Sequence, residues 1–379
     1  MKILVLGMTS NYGGVESFLV NYYRRFDHSK IIFDFITNSS KPIAYEEELL
    51  KYGSHIFRIE KKSGNYLKYR KQINDFFKEN AHEYLVIWQN SNILSNIDYL
   101  KYAKKYGIKY RIIHSHNTHN IYHGYIRLIR SGLHLFNRYR ISLYANNFWA
   151  CSKSAANYFY NHDISKKVKV IPNAINIKKV QFSKNGREKI RKQFSLKRNQ
   201  VIGNVGRLSS QKNQLYILKV FKKALKIKPN LKLILVGDGE DKKMLVDKVN
   251  QWGIQNKVIF TGIRTDISDL LSSFDIFLFP SLFEGLSVAT IEAQSNGVPI
   301  LGSCEAITDE NRINKNIKIL SLKENEDLWV KTLLNMLNES KRLNSNVAEN
   351  NVRKAGFDIE SASKKLEQFF VALSDKEQI

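Results

Sequence analysis

Phe279-Pro280-Ser281-Leu282-Phe283-Glu284-Gly285-Leu286-Ser287-Val288-Ala289-Thr290-Ile291-Glu292-Ala293 passes from an apolar run, through a short loop, into a helical pattern. The run Ile276–Pro280 reads as a buried strand. Glu284-Gly285 forms the loop, and Ser287 is placed to cap a helix that starts at Val288. A helix start offers unpaired N–H groups and the positive end of a dipole, which suit a phosphate. Gly285 allows close backbone approach. Glu284 stands before the helix and Glu292 just over one turn inside it, so both carboxylates can reach a ligand lying across the helix start. Carboxylates there suit sugar hydroxyls better than a phosphate, which they would repel. Taken alone, the same pattern also describes solvated acids around a helix cap.

Outward from this stretch the same strand-then-helix unit repeats. Apolar runs occur at Ile3–Leu6, Phe33–Ile36, His55–Ile59, Tyr84–Trp88, Tyr110–His114, Asn147–Cys151 and Lys169–Ile171. The second half adds Val201–Val205, Leu231–Val236, Val258–Thr261, Pro299–Leu301 and Ile317–Leu320. Helical patterns such as Leu215–Ile227 and Lys242–Gln251 lie between them. Near-continuous apolar strands alternating with helices predict α/β architecture, with parallel sheets covered on both faces. The expected fold is two doubly wound, Rossmann-like domains, residues 1–180 and 181–355, facing a central cleft. Residues 356–379 form a C-terminal helix that packs back toward the first domain. Ligands of such sheets bind at the carboxyl ends of strands.

Three further motifs follow strands. Gly206-Arg207-Leu208-Ser209-Ser210-Gln211-Lys212-Asn213 offers a guanidinium fork and an ammonium, a pair suited to a diphosphate, without the Walker spacing. Gly7-Met8-Thr9-Ser10-Asn11-Tyr12-Gly13-Gly14-Val15-Glu16 lacks the Gly-x-Gly-x-x-Gly spacing, which disfavours a nicotinamide or flavin cofactor. Its Gly13 and Gly14 either let the backbone approach a ligand or form a plain turn. His114, His116, His119 and His123 invite a zinc reading. No nearby Asp, Glu or Cys completes such a site, and the surroundings are basic, so no metal is expected. Gly237-Asp238-Gly239-Glu240 either turns or lines the site.

The 379 residues are 43% hydrophobic and 25% charged, which excludes a disordered chain. Two cysteines, Cys151 and Cys304, cannot form a disulfide framework, and no apolar run is long enough to span a membrane. A cytoplasmic location is expected. The formal charge is +25. Residues 1–180 hold 28 Lys or Arg against 12 Asp or Glu, and Tyr99–His162 contains no acid at all. Within that segment Ile126, Ile129, Leu133 and Phe136 recur at helical spacing, flanked by Arg127, Arg130, Arg138 and Arg140. This reads either as a basic amphipathic helix lying on an anionic membrane or as a helix burying one stripe in a core. A nucleic-acid partner fits the charge, but no recognised nucleic-acid module is present.

Together these residues resemble glycosyltransferase family 4, the retaining enzymes of GT-B fold, and within it the bacterial exopolysaccharide and capsule branch. The elements that carry the resemblance are Gly13-Gly14-Val15-Glu16, His114-Ser115-His116-Asn117, Val170-Ile171-Pro172-Asn173, Gly206-Arg207-Leu208, Lys212-Asn213, Val236-Gly237-Asp238-Gly239 and the Glu284/Glu292 pair. The resemblance implies that Arg207 and Lys212 hold the diphosphate of a nucleotide sugar, expected to be a UDP-sugar, and stabilise its departure. It implies that Glu284 contacts sugar hydroxyls, Glu292 the ribose, and Gly285, Leu286 and Ser287 the sugar and phosphate through their backbone. His116 matches the histidine near the donor sugar, with His114 as second choice, and Gly14 would lie close to the diphosphate. The implied acceptor is an undecaprenyl-diphosphate-linked glycan, taken at the inner membrane surface, with no cofactor or metal. The implied chemistry is front-face attack by the acceptor, with the leaving oxygen assisting deprotonation. Alternatives are a GT-B enzyme acting on a different glycan or a teichoic-acid acceptor, a GT-B enzyme of another kind such as a sugar-nucleotide epimerase or a starch or glycogen synthase, or a basic nucleic-acid-binding protein.

Overall fold

The computed structural model describes residues 1–118 and 124–375. Two compact units divide the chain: Met1–Ala174 with Ile359–Ile379, and Ile175–Asp358. The first holds seven strands: β1 (Lys2–Leu6), β2 (Ile32–Thr37), β3 (Ile56–Arg58), β4 (Tyr84–Ser91), β5 (Tyr110–Ser115), β6 (Asn147–Ala150) and β7 (Lys169–Val170). They pair in parallel in the order β3-β2-β1-β4-β5-β6-β7. The second holds β8 (Gln200–Val205), β9 (Leu231–Val236), β10 (Val258–Gly262), β11 (Ile276–Phe279), β12 (Ile300–Ser303) and β13 (Ile317–Leu320). These are also parallel, in the order β10-β9-β8-β11-β12-β13.

Each sheet starts in its middle, runs outward to one edge, then returns to build the other. The reversal falls between β1 and β4 in the first unit and between β8 and β11 in the second. Loops on either side of such a reversal splay apart and leave room for a ligand at the carboxyl ends. The apolar runs form strands because helices cover both sheet faces: Ile3, Leu4 and Val5 are fully buried, as are Phe277, Leu278 and Phe279. Both prolines placed at strand ends by the sequence fall just outside. β11 stops at Phe279 and β12 begins at Ile300, since proline has no N–H to give a ladder. Pro299 still accepts there, from the Phe277 N–H at 2.8 Å.

The passage between units lies at Ala174/Ile175 rather than after residue 180. The turn Ile177–Val180 buries Ile177 and Val180 within the second unit, where Asn296 Nδ2 donates to the Val180 carbonyl at 2.9 Å. The final helix, Ile359–Asp375, belongs to the first unit. Its Phe370 ring sits 5.7 Å from that of Trp88 and 5.9 Å from that of Trp149, and Arg25 Nε meets Glu360 at 2.7 Å.

Candidate active site

In the second unit the informative loops follow three neighbouring strands, β9, β8 and β11. The loop after β8 is fixed by the loop after β9. A Cβ on Gly237 would lie 2.1 Å from the Gly206 carbonyl oxygen, and one on Gly239 would lie 2.3 Å from that of Leu208. Gly237 also sits at φ +129°, a conformation other residues rarely adopt. Two hydrogen bonds of 3.0 Å join the loops, Leu208 N–H to Asp238 O and Asp241 N–H to Leu208 O. Gly237-Asp238-Gly239 is therefore a brace that lets two backbones touch.

The same loop is tied to its other neighbour. Leu282 N–H donates to the Gln211 carbonyl at 2.9 Å, and Gln211 Nε2 to the Phe283 carbonyl at 2.9 Å. Asn213, at φ +56°, donates through Nδ2 to the Pro280 carbonyl at 3.1 Å. Left-handed backbone is tolerated by Asn more than by most residues, and here it turns Lys212 toward the Glu284 loop. Lys212 Nζ lies 2.6 Å from Glu284 Oε1, with both side chains largely buried, and 5.3 Å from the centre of the Phe279 ring.

Ser287 caps the helix Val288–Asn296, accepting from the Thr290 N–H at 3.4 Å. The first N–H groups of that helix stand outside its own ladder. Leu286 and Ser287 are buried, whereas Glu284 and Gly285 are half-buried in the loop. Glu292 is half-buried one turn in, and burial pushes its carboxyl up to about 7. A carboxyl so raised gains from any ligand hydroxyl that solvates its charged form. Arg207 is more exposed than Lys212, and its Nε meets Glu240 Oε2 at 2.9 Å.

In the first unit the loops after β1, β4 and β5 place a second group. His116 Nε2 lies 2.8 Å from Asn90 Oδ1, which fixes the proton on Nε2 and leaves Nδ1, buried and without a partner, as the acceptor. Burial holds the ring neutral, with its pKa lowered to about 3. His114 packs beside it, ring centres 4.1 Å apart, and stacks on Trp88. It is fully buried, a core side chain rather than an accessible one. Gly7 at φ +121° admits Asn90, since a Cβ there would lie 2.7 Å from the Asn90 Cβ. Gly13 precedes the helix Gly14–Tyr23. Its missing Cβ makes room for Glu16, which is buried and accepts from Thr9 Oγ1 at 2.5 Å. A Cβ on Gly14 would meet nothing within 4 Å.

The second unit thus brings Lys212, Glu284 and the Ser287 cap together, with Arg207 turned to Glu240. The first brings His116 beside Asn90. Asn90 was not legible as a participant; Gly7, Asn213 and Glu240 lie in motifs the sequence singles out, but their partners Asn90, Pro280 and Arg207 are distant in the chain and were not legible. His119 and His123 lie outside the described residues.

The helix Gly124–Arg140 is inside out. Ile126, Leu128, Ile129, Leu133, Leu135, Phe136 and Tyr139 are exposed, whereas His134 and Asn137 are buried. Leu94 N–H donates to His134 Nδ1 at 3.1 Å, and Asn137 Nδ2 to the Leu94 carbonyl at 2.7 Å. The stripe Ile126, Ile129, Leu133 and Phe136 is thus not a core stripe: polar groups hold the helix to the unit and its apolar face points out. No helix among the described residues is long and apolar enough to cross a membrane.

Comparison with known proteins agrees with this geometry. Residues 12–179 match the model of glycosyltransferase family 4, and residues 186–354 that of glycosyl transferases group 1. The chain is 30% identical over 331 residues to the putative glycosyltransferase EpsF of Bacillus subtilis, covering 85% of this chain and 84% of that one. It is 35% identical over 154 residues to an Escherichia coli UDP-Gal:alpha-D-GlcNAc-diphosphoundecaprenol alpha-1,3-galactosyltransferase, 40% of this chain and 39% of that one. The fold matches Anabaena Alr3699/HepE, solved in complex with UDP, at a TM-score of 0.75 and 20% identity, over 98% of this chain and all of that one.

Proposed function

We propose that this chain, which belongs to the family 4 glycosyltransferases of GT-B fold, moves a hexose or N-acetylhexosamine from a UDP-sugar to a lipid-diphosphate-linked glycan, with retention at the anomeric carbon. The polysaccharide context is supported by the relatives: one bacterial galactosyltransferase is named for an undecaprenol diphosphate substrate. UDP is supported by the same name and by the UDP-bound structural neighbour.

The observation that carries the reading is the Lys212–Glu284 pair beside the Ser287 cap, with Glu292 one turn inside the helix. In the proposed reaction the bond from the anomeric carbon to the diphosphate oxygen breaks, and the electron pair leaves on that oxygen. Lys212 and the helix start, already in place, and Arg207, on leaving Glu240, meet the charge that develops there, which is electrostatic stabilisation. Glu284 holds Lys212 and contacts the sugar hydroxyls. Glu292 accepts from the ribose hydroxyls. Gly285, Leu286 and Ser287 offer backbone contacts near the sugar and phosphate. On the first unit, Gly13 and Gly14 admit the diphosphate, and His116 lies near the donor sugar. The acceptor oxygen bonds to the anomeric carbon from the face the diphosphate leaves, and its proton passes to the departing oxygen. In this proposal fixed cations do the work that a metal does elsewhere.

The outward apolar face of the helix Gly124–Arg140, set in a segment without acids, is proposed to seat the first unit on an anionic membrane, where a lipid-linked acceptor lies. The experiment for the transfer reaction is a panel of UDP- and GDP-sugars incubated with an undecaprenyl-diphosphate-linked sugar. One UDP-sugar should lengthen the acceptor; lengthening by GDP-sugars alone, or by none, overturns the reading.

A further inference from the structure

The second unit has another polar opening, at the amino edge of its sheet, away from the loops that follow the strands. A cavity of about 840 Å3 lies where β8 and β11 begin: Gln200 opens β8, and Asp275 immediately precedes β11. Four guanidinium groups line it, those of Arg187, Arg191, Arg198 and Arg342, and Asp275 is the one carboxylate among the lining residues.

Asp275 is already shared. Its two oxygens lie 2.6 Å from Arg187 Nη2 and 2.6 Å from Arg191 Nη2. Arg342 turns to the end of the helix Ile267–Ser273, where Nη2 donates to the Leu271 carbonyl at 3.1 Å and to that of Phe274 at 2.6 Å. Such carbonyls are the orphan acceptors of a helix end. They occupy N–H groups and carry a partial negative charge of about half a unit, far short of what the arginines present. Burial, then the neighbouring charge of Arg187, lowers the Arg342 pKa to about 9, with Asp275 offsetting part of the effect.

Other lining groups face the same space. Gln200 Oε1 is buried without a hydrogen-bond partner, while its Nε2 donates to the Leu337 carbonyl at 2.8 Å. The Phe182 ring lies 4.8 Å from the Arg342 guanidinium and gives the cavity an apolar wall. Ser345 opens the helix Ser345–Lys354 at the rim, capped by Asn344, whose Oδ1 accepts from the Asn346 N–H at 2.9 Å. Arg187, Arg191 and Arg342 are half-buried and share one carboxylate, an excess of positive charge that an anion relieves.

We propose that this cavity binds a phosphorylated small molecule, at a site separate from the one assigned to the donor sugar. Arg187 and Arg191 also give N–H groups to carbonyls, those of Ser272–Phe274 and of Asn199, so a phosphate would supply the counter-charge that the lining lacks and take its direct contact from the exposed Arg198. The inference stands apart from the transfer reaction, because none of its residues belongs to the loops after β8 and β11.

The test is calorimetric titration of inorganic pyrophosphate into the Lys212→Ala full chain, which lacks the cation of the donor loop. Binding should persist. Adding Arg198→Ser, or Asn344→Asp, should weaken it about tenfold, the worth of one charge-assisted contact. Asp caps a helix as well as Asn does, so the Asn344→Asp helix should stay intact while the rim gains a negative charge. Circular-dichroism melts check that both variants fold, and sugar transfer by otherwise wild-type chains carrying them should be unchanged. Inorganic phosphate and UMP run in parallel separate a free anion from a nucleotide as the source. No pyrophosphate binding to the Lys212→Ala chain, or binding untouched by both added changes, overturns the proposal.

Discussion

Lys212 Nζ stands 2.6 Å from Glu284 Oε1, joining the loops that follow two adjacent strands of the second unit, β8 and β11. The pair fixes an ammonium beside a helix start, so the positive groups are oriented before any ligand arrives. Glu284→Gln keeps the shape and removes the charge that holds Lys212. It should lower kcat/KM by about 10²-fold, the usual scale for losing one preorganised electrostatic contact. Steady-state kinetics with the accepted UDP-sugar check this. A rate within about threefold of wild type, under 1 kcal/mol of transition-state stabilisation, would remove Glu284 from the assigned role.

Glu292 predicts a pH dependence. Its folded pKa is raised to about 7 from 4.5. Below about pH 4.5 the carboxyl is protonated in both folded and unfolded chains and costs nothing. As pH rises toward 7 the unfolded chain ionises first, and stability falls, by on the order of 3 kcal/mol in all. Glu292→Gln should therefore be the more stable protein at pH 8 and equal to wild type at pH 4, by thermal melts. Its UDP affinity should drop. Parallel melting profiles across this range would contradict the assigned environment.

The paired glycines separate a brace from an approach. Gly237→Ala puts a Cβ 2.1 Å from the Gly206 oxygen at a strained φ, and should destabilise the fold by about 2 kcal/mol or more. Gly14→Ala meets nothing within 4 Å, so its stability should be unchanged within about 0.5 kcal/mol. Under the proposed function Gly14→Ala should nevertheless raise KM for the donor. Denaturant melts of the two variants, with one kinetic comparison, decide the matter.

The exposed face of the helix Gly124–Arg140 predicts salt-dependent sedimentation with vesicles. Wild type should pellet with phosphatidylglycerol-rich vesicles at low salt and less with neutral ones, since exposed charges are screened at high ionic strength. Leu135→Glu with Phe136→Glu should abolish pelleting while leaving the buried His134 and Asn137 contacts intact. Equal pelleting by this variant would remove the face from the membrane.

The strands were legible because parallel sheets covered on both faces need uninterrupted apolar runs, and those runs stand out between helical patterns. Their edges were less so: Pro280 and Pro299 looked like strand residues but fall just outside, having no N–H for the ladder. Glu284, Glu292, Arg207 and Lys212 stand out in the sequence by residue type and position after strands, and their proposed roles come from the resemblance. Glu240 as the partner of Arg207, and Asn90 as the partner of His116, were not legible. Asn90 and His116 are 26 positions apart and meet only because β4 pairs with β5. The four-arginine cavity was hidden for the same reason, since Arg187 and Arg191 share Asp275 from more than 80 positions away.

The stereochemistry of the product tests the central claim most directly. An α-linked UDP-sugar accepted by the chain is transferred to the lipid-linked acceptor, and the anomeric proton coupling of the new linkage is read by nuclear magnetic resonance. The account predicts an α linkage, formed by wild type and lost in Glu284→Gln. A β linkage, or an α linkage formed equally well by Glu284→Gln, would contradict it.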